Sequence, residues 1–249
     1  MIVISILAAI LAGWFCGVII NYLSDTLPDH RRFRLPYCSE CKHDVSVLDF
    51  VSIGPCRRCG SPKKSRFWLV NILSIIIILY LLFFSIGNRL IMMINLITYL
   101  FLLLITIIDI EHHLVLHVIS LAGAILFGII GVISHGWLQT ALGGLAGFGI
   151  MLLFYLLGRA YSGYIAHKRR VEIDEGMGFG DVNLGGVCGL LLGWPGIVGG
   201  IFIGVILGGI WSVVIIIRAM LGKKEKPMLE YIAYAPFITV ATAGLWSLR

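Results

Sequence analysis

The sequence predicts an all-α polytopic membrane protein with about eight transmembrane helices and a small cytoplasmic zinc-binding loop. Composition, the recurrence of long apolar segments and one loop with paired cysteines support this fold class. Of the 249 residues, 59% are hydrophobic and only 13% are charged, and the mean hydropathy is +0.99. Water-soluble domains average roughly 45–50% apolar and about 25% charged residues. The composition therefore excludes a water-soluble fold.

The apolar segments are long enough to cross a bilayer, which takes about 20 apolar residues for each helix. The eight predicted spans are 2–23, 67–86, 90–108, 118–134, 137–158, 182–194, 197–217 and 231–247. The sixth is the shortest. From Asp181 to Leu192 the chain has 12 residues, which make about 18 Å of helix against a hydrocarbon core of roughly 30 Å. We expect this helix to end within the bilayer or the membrane to thin around it.

The basic residues predict the orientation of the spans. Of the 19 lysines and arginines, nine lie in 24–66, four in 159–181 and four in 218–230, which leaves only Arg89 and Arg249. Eight alternating spans place all three basic stretches on one side, and the positive-inside rule assigns that side to the cytoplasm. The net charge of +6 is then explained by topology and by anionic membrane lipid, and no nucleic-acid partner is expected.

The loop 24–66 contains the motifs CSEC and CRRC, which are two C-x2-C pairs. Their cysteines are Cys38, Cys41, Cys56 and Cys59. Four thiolates in this spacing suit one tetrahedral zinc ion, and so short a loop needs the metal for its folding energy. A pair of disulfides is the alternative, but it requires an oxidising compartment. We predict a structural zinc, because four sulfurs leave no open position for water.

Two acids lie at membrane boundaries. Asp109 ends the apolar run LFLLLITIID, and Asp181 stands in GFGD, just before the sixth span. Two spans separate them, so both acids fall on the cytoplasmic face. Each has a simpler explanation, Asp181 as a helix cap and Asp109 as a boundary residue. However, Gly178 and Gly180 remove side chains around Asp181 and permit unusual backbone angles and close approach of another chain, which a cap does not require.

Two facing carboxylates cannot both ionise easily, so one keeps a proton while the other activates water for attack on a peptide carbonyl. This predicts an aspartic protease dyad. A proton- or cation-coupled transporter could also use intramembrane acids, although transporters often have repeated halves and the chain contains no second GFGD. A zinc-bearing membrane scaffold without chemistry leaves the glycines beside Asp181 unexplained.

Glycines also recur at four-residue spacing in the sixth and seventh spans. They are Gly185, Gly189 and Gly193 in one span and Gly200, Gly204 and Gly208 in the next. Small residues at this spacing let helix backbones approach closely. We expect these two spans to pack tightly around the short turn WPG.

Several motifs together resemble the type IV prepilin peptidases, which are polytopic aspartic proteases of the GxGD class. The motifs are GWFCGVIINYLSDTLP, the paired cysteines, IDIEHHLVLHVISL, GFGDVNLGGVCGLLLGW and YAPFITVATAG. The resemblance covers nearly the whole chain and implies that Asp109 and Asp181 are the catalytic pair. It implies prepilin or pseudopilin substrates, whose short basic leader is cut after glycine at the cytoplasmic face of the inner membrane.

The resemblance also implies a second activity, N-methylation of the new amino terminus with S-adenosylmethionine. Two positions depart from the family pattern, because His117 and Asn71 stand where acids are usual. The predicted organisation is a first transmembrane helix in 1–23, the cytoplasmic four-cysteine zinc loop in 24–66 and a transmembrane aspartic protease domain in 67–249. The sequence does not indicate the oligomeric state.

Overall fold

The computed structural model describes residues 2–30, 35–38, 40–41, 43–84, 88–112, 116–169, 178–221 and 234–248. Over these residues the chain forms nine α-helices. Their bounds are α1 (Ile2–His30), α2 (Val47–Val51), α3 (Ser65–Phe84), α4 (Arg89–His112), α5 (His117–His135), α6 (Trp137–Arg169), α7 (Phe179–Leu192), α8 (Gly196–Leu221) and α9 (Ala235–Ser247). The described residues contain no strand beyond one antiparallel bridge between Tyr37 and Asp44. The predicted all-α class is confirmed.

Within the described ranges, six helices are long and apolar enough to cross a membrane, namely α1, α3, α4, α5, α6 and α8. Helices α7 and α9 are apolar but shorter, with 14 and 13 residues. Each of the eight predicted spans corresponds to one of these helices. The chain is a multi-pass membrane protein, and the predicted shortness of the sixth span is also confirmed.

The chain divides into two compact units, Met1–Ile107 and Ile108–Arg249, and the boundary falls within α4. In the first unit α1 packs along α3. A Cβ atom added to Gly17 of α1 would lie 2.7 Å from the Cα atom of Asn71 in α3, so only glycine permits this approach. Asn71 is fully buried there, and its amide donates a hydrogen bond of 2.7 Å to the Phe67 carbonyl.

The first helix is longer than the sequence predicted. It continues beyond residue 23 and ends at His30, which carries it past the expected start of the cytoplasmic loop. An ion pair of 2.6 Å between Asp25 of α1 and Arg66 of α3 holds this extension against α3. The functional division into 1–23, 24–66 and 67–249 stays a prediction.

In the second unit α7 packs most closely against α6. Their backbones come closest at Gly143 and Gly147 of α6 and Gly185 and Gly189 of α7, which we call the glycine seam. A Cβ atom on Gly189 would meet the Gly143 carbonyl oxygen and would lie 2.8 Å from the Gly143 carbonyl carbon. Because backbone meets backbone, no side chain can turn away to make room.

The expected packing of these two helices is found only near the turn. The glycines of α7 pack mainly against α6, and among the α8 glycines a Cβ atom on Gly200 would lie 2.8 Å from the Leu192 Cδ1 atom of α7. A Cβ atom on Gly204 would lie 3.3 Å from the Cα atom of Ile238 in α9. Four-residue spacing identifies a small-residue face of a helix, but it does not identify the helix that meets this face.

The far end of α7 is also anchored. His135, the last residue of α5, donates from Nε2 to the Leu191 carbonyl at 3.0 Å. Gly193 follows α7 with a φ of +61°, and a Cβ atom there would lie 2.6 Å from the His135 ring. Glycine is required at this position by both the left-handed backbone and the histidine. The seam and this anchor fix α7, and with it Asp181.

Candidate active site and metal centre

Asp109 and Asp181 lie on different helices of the second unit. Asp109 stands in the last turn of α4, directly after the buried Ile107 and Ile108, and only 4% of it is exposed. Asp181 stands in the first turn of α7 and is 9% exposed. Burial of two ionisable groups in an apolar unit is costly, so such groups mark a functional site by default.

The fold brings these two acids close enough for the charge of Asp109 to act on Asp181. The repulsion opposes ionisation of both groups together, because two neighbouring carboxylates in a poorly solvated site favour sharing one proton. The arrangement can therefore hold one carboxylic acid and one carboxylate side by side. Such a pair can donate a proton and accept another in a single step.

The two glycines before Asp181 have ordinary geometry. Gly178 caps α7 with an extended backbone, φ −77° and ψ 147°, and its carbonyl accepts the Asp181 N–H at 3.1 Å. The expected unusual backbone angle is therefore absent at Gly178. Among the described residues, a Cβ atom there would meet nothing closer than the Gly180 nitrogen at 3.9 Å.

Sequence reasoning did not single out Tyr234, which precedes α9 and lies within electrostatic range of Asp181. The available signal was its place at the start of YAPFITVATAG, which the sequence analysis treated only as a closing segment. The two departures from the family pattern lie elsewhere. His117 is the first residue of α5, and Asn71 is buried between α1 and α3 in the first unit.

The four predicted zinc ligands form one cluster in the loop of the first unit. The sulfur atoms of Cys38, Cys41, Cys56 and Cys59 all lie within 4.8 Å of one another. Cys38 and Cys59 are 3.7 Å apart, far beyond a disulfide bond, and all six cysteines of the chain are free. Tetrahedral zinc with Zn–S bonds of about 2.3 Å separates its sulfurs by roughly 3.8 Å. The cluster therefore fits zinc.

Hydrogen bonds favour the thiolate form, which metal binding requires, at Cys38 and Cys59. Partial burial opposes ionisation of Cys38, but hydrogen bonds from the backbone N–H groups of Cys41 and Glu40 outweigh it and lower the pKa of Cys38 to about 6. At Cys59 the Ser61 hydroxyl, 2.9 Å from the sulfur, lowers the pKa of the thiol. At Cys41 a backbone hydrogen bond from His43 favours the thiolate, but desolvation and the neighbouring cysteine sulfurs outweigh it and raise the pKa to about 11.

We expect metal analysis of the purified protein to find about one zinc per chain. The Cys38→Ser and Cys56→Ser variants should lose the metal together with the order of the loop, because the ion supplies the folding energy of this segment. Cys188→Ser, at a buried cysteine of α7, is the matched control and should keep the zinc. Stoichiometric disulfides in protein prepared under reducing conditions would contradict the metal assignment.

Comparison with known proteins points to the same part of the chain as the geometry does, the part that contains both acids. Residues 96–213 match the type IV leader peptidase family, and this stretch contains both Asp109 and Asp181. This match covers slightly less than half of the chain. The matched region, residues 96–213, contains the two acids, and the cysteine cluster lies outside it.

Two proteins to which this chain is similar are named prepilin leader peptidase/N-methyltransferase. The protein of Aeromonas hydrophila is 24% identical over 215 residues, which cover 82% of this chain and 70% of the relative. The protein of Aeromonas salmonicida strain A449 is 24% identical over 239 residues, which cover 88% of this chain and 78% of the relative. No solved structure matches the chain.

Proposed function

We propose that this protein is a membrane-embedded aspartic endopeptidase that removes the short basic leader from type IV prepilin-like proteins at the cytoplasmic membrane face. The observation that carries the proposal is the buried pair of acids on α4 and α7, whose charges act on each other. Both acids lie within the region that matches the family. Asp109 and Asp181 are the proposed catalytic residues.

The chemistry follows from one shared proton. The ionised carboxylate removes a proton from a water molecule, and the water oxygen attacks the carbonyl carbon of the scissile peptide bond. The protonated partner gives its proton to the carbonyl oxygen, so the tetrahedral intermediate is neutral. Collapse then breaks the C–N bond while a carboxyl group protonates the leaving amine. No covalent enzyme intermediate forms.

An extended substrate would reach Asp181 at the start of α7, which the predicted sixth span places at the membrane edge. The substrate segment is proposed to be a basic leader followed by an apolar helix, cut after glycine. The basic stretches 24–66, 159–181 and 218–230 support a cytoplasmic orientation in the inner membrane, with lipid around the apolar helices.

The test is incubation of the purified protein in detergent with a prepilin-like substrate. Mass spectrometry should show a product shortened by the leader. N-methylation is a second candidate activity, favoured by the names of the relatives, and it would raise the mass of the product by one CH2 group because a methyl group replaces a hydrogen. Among the described residues none is assigned to S-adenosylmethionine, so methylation enters only as a second product to look for.

The transporter hypothesis is not favoured, because the region that holds both acids matches a peptidase family. The test compares the uptake of protons or cations by proteoliposomes that contain the wild-type protein with the uptake by proteoliposomes that contain the Asp109→Asn variant. Flux that depends on Asp109 in protein with no cleavage activity would favour transport. Cleavage without such flux would support the peptidase.

We expect zinc and the acid pair to be separable in function. Four thiolates leave zinc no open position at which to polarise a carbonyl group, and the acid pair already generates the nucleophile. Removing zinc with a chelator should weaken capture of full-length substrate while residual cleavage of a short leader peptide continues. If cleavage of both substrates stops and returns only with metal, while Asp109→Asn stays active, the protein is a metalloprotease.

A further inference from the structure

The short helix α2 in the loop of the first unit packs against both membrane helices beside it. The Phe50 ring of α2 meets Tyr22 of α1 edge to face with centroids 6.4 Å apart, and it meets Phe67 of α3 in the same way at 6.2 Å. The indole N–H of Trp14 in α1 donates to the Val51 carbonyl at 3.3 Å. These contacts fix α2 on α1 and α3.

Lys63 ties the end of α2 to the start of α3. Its ammonium group donates to the Phe50 carbonyl at 2.6 Å and to the Asp49 carbonyl at 3.3 Å. The Nζ atom also lies 4.6 Å from the centroid of the Phe67 ring, which is within the range of a cation–π contact. Lys63 stands four residues after Cys59. The position of α2 is therefore linked to that of the cysteine cluster.

The contacts with α1 set the depth of α2 in the membrane. The ion pair between Asp25 and Arg66 joins the end of the candidate span of α1 to the start of that of α3, and so marks a membrane boundary. Tyr22 and Trp14 lie three and 11 residues before Asp25, which is about 5 Å and about 17 Å along the helix. Helix α2 contacts both side chains, so it lies on the membrane side of this boundary. Interfacial segments are buried to a comparable depth, about 5–10 Å.

The side chains that α2 leaves exposed are apolar. Val47, Leu48 and the nearby Ile53, which we call the α2 face, are 59%, 82% and 64% exposed. In the same stretch of α1, Phe15 and Ile19 are 61% and 51% exposed. Because α1 is long and apolar enough to cross the membrane, its exposed side chains meet lipid. The α2 face stands at the same level.

We propose that α2 lies in the membrane interface and that the α2 face inserts among the acyl chains of the phospholipid bilayer. The exposed basic residues Arg57 and Lys64 follow this segment along the chain and suit the phosphate groups at the bilayer surface. Interfacial segments combine an apolar side with basic residues in this way. Insertion of α2 would hold the cysteine cluster at the membrane surface.

The size of the α2 face favours lipid over a second copy of the chain. A stable protein interface uses roughly 20–30 residues on each partner, whereas this face has three side chains. Water is also a poor surrounding for it, because α2 has five residues and isolated helices shorter than about 12–15 residues are marginal in water. The inference concerns the first unit and does not depend on the peptidase assignment.

The test uses the full chain in liposomes whose phospholipids carry a photoreactive group at a known depth. With the group at the top of the acyl chain, irradiation should attach lipid to the peptide that contains Leu48. With the group at the chain end, the adducts should move to α1 near Leu11, which is 69% exposed and lies 14 residues before Asp25, about 21 Å along the helix. Mass spectrometry of the digested protein locates the adducts. Adducts near Leu11 without any on the Leu48 peptide would overturn the inference.

Two variants at one position test the role of the apolar side chain. Leu48→Glu should reduce the lipid adducts on α2 about 10-fold, because it replaces the gain from burying a leucine by a charge that prefers water. Leu48→Phe is the matched control and should keep wild-type labelling. In both variants the adducts near Leu11 and the zinc content should equal those of the wild type. Unchanged labelling of α2 in Leu48→Glu would contradict the insertion, and the wild-type depth profile tests it even if Leu48→Glu disturbs the loop.

Dilution of the protein in lipid separates the bilayer from a second copy as the occupant. If lipid covers the α2 face, the labelling per chain should not change when the ratio of lipid to protein is raised. A second copy would leave the face by mass action on dilution. Labelling of the Leu48 peptide that appears only in dilute protein would therefore assign the face to another copy of the chain and overturn the inference.

Discussion

The Asp109→Asn and Asp181→Asn variants should each lose at least about 10³-fold in kcat/KM for leader cleavage. A general acid or base typically contributes a factor of 10²–10⁴ to the rate. Each substitution replaces one of the two carboxyl groups that exchange protons with the water and the peptide by an amide, which cannot do so. Asparagine has nearly the shape of aspartic acid, so both variants should insert into membranes normally. The measurement is single-turnover cleavage of a prepilin-like substrate by purified protein.

The matched control is Glu111→Gln, which makes the same chemical change two residues after Asp109 in the same last turn of α4. Glu111 has no role in the proposed mechanism, so this variant should keep wild-type cleavage. Wild-type turnover in Asp109→Asn or Asp181→Asn would remove the acid pair from the mechanism. A loss in Glu111→Gln equal to that in Asp109→Asn would point to a general sensitivity of this helix end.

A single added methyl group in the glycine seam should disrupt the second unit. In Gly189→Ala the new carbon would collide with the Gly143 carbonyl group and would lie 3.1 Å from the Gly144 Cα atom, so α6 and α7 must separate. Overpacking of this kind costs about 1–3 kcal/mol. We expect a lower unfolding temperature in detergent and a loss of activity of about 100-fold, because α7 carries Asp181 and a shift of about 1 Å can cost that much.

Gly149→Ala provides the comparison, because it adds the same methyl group to α6 at a position where nothing lies within 4 Å. Its unfolding temperature and activity should match those of the wild type. If Gly189→Ala is equally well tolerated, the close packing of α6 and α7 is not needed for the site.

The sequence was informative wherever the chemistry is carried by composition or by short-range spacing. Long apolar runs define the membrane helices, because a span must satisfy its own backbone hydrogen bonds. Two C-x2-C pairs define the metal cluster. Alternation of the spans placed Asp109 and Asp181 on one face, since both acids stand at boundaries that can be counted along the chain.

What the sequence could not supply was the identity of packing partners. The glycines of α7 gave a clear four-residue period, but α8 seemed the natural partner because it follows across a short turn. The competing signal, Gly143 and Gly147 in α6 with the same spacing, went unused. Tyr234 was missed for a related reason, because α9 packs against α7 only in the folded chain.

The glycine seam also limits how a membrane-embedded substrate can reach the acids. An α-helix with its side chains is about 10–12 Å across, whereas the backbones of α6 and α7 leave no room even for a Cβ atom at Gly143 or Gly189. A substrate helix of the proposed kind that diffuses within the plane of the bilayer therefore cannot enter between these two helices. Lateral access is closed along this edge, and the scissile segment must arrive from a direction that the seam does not seal.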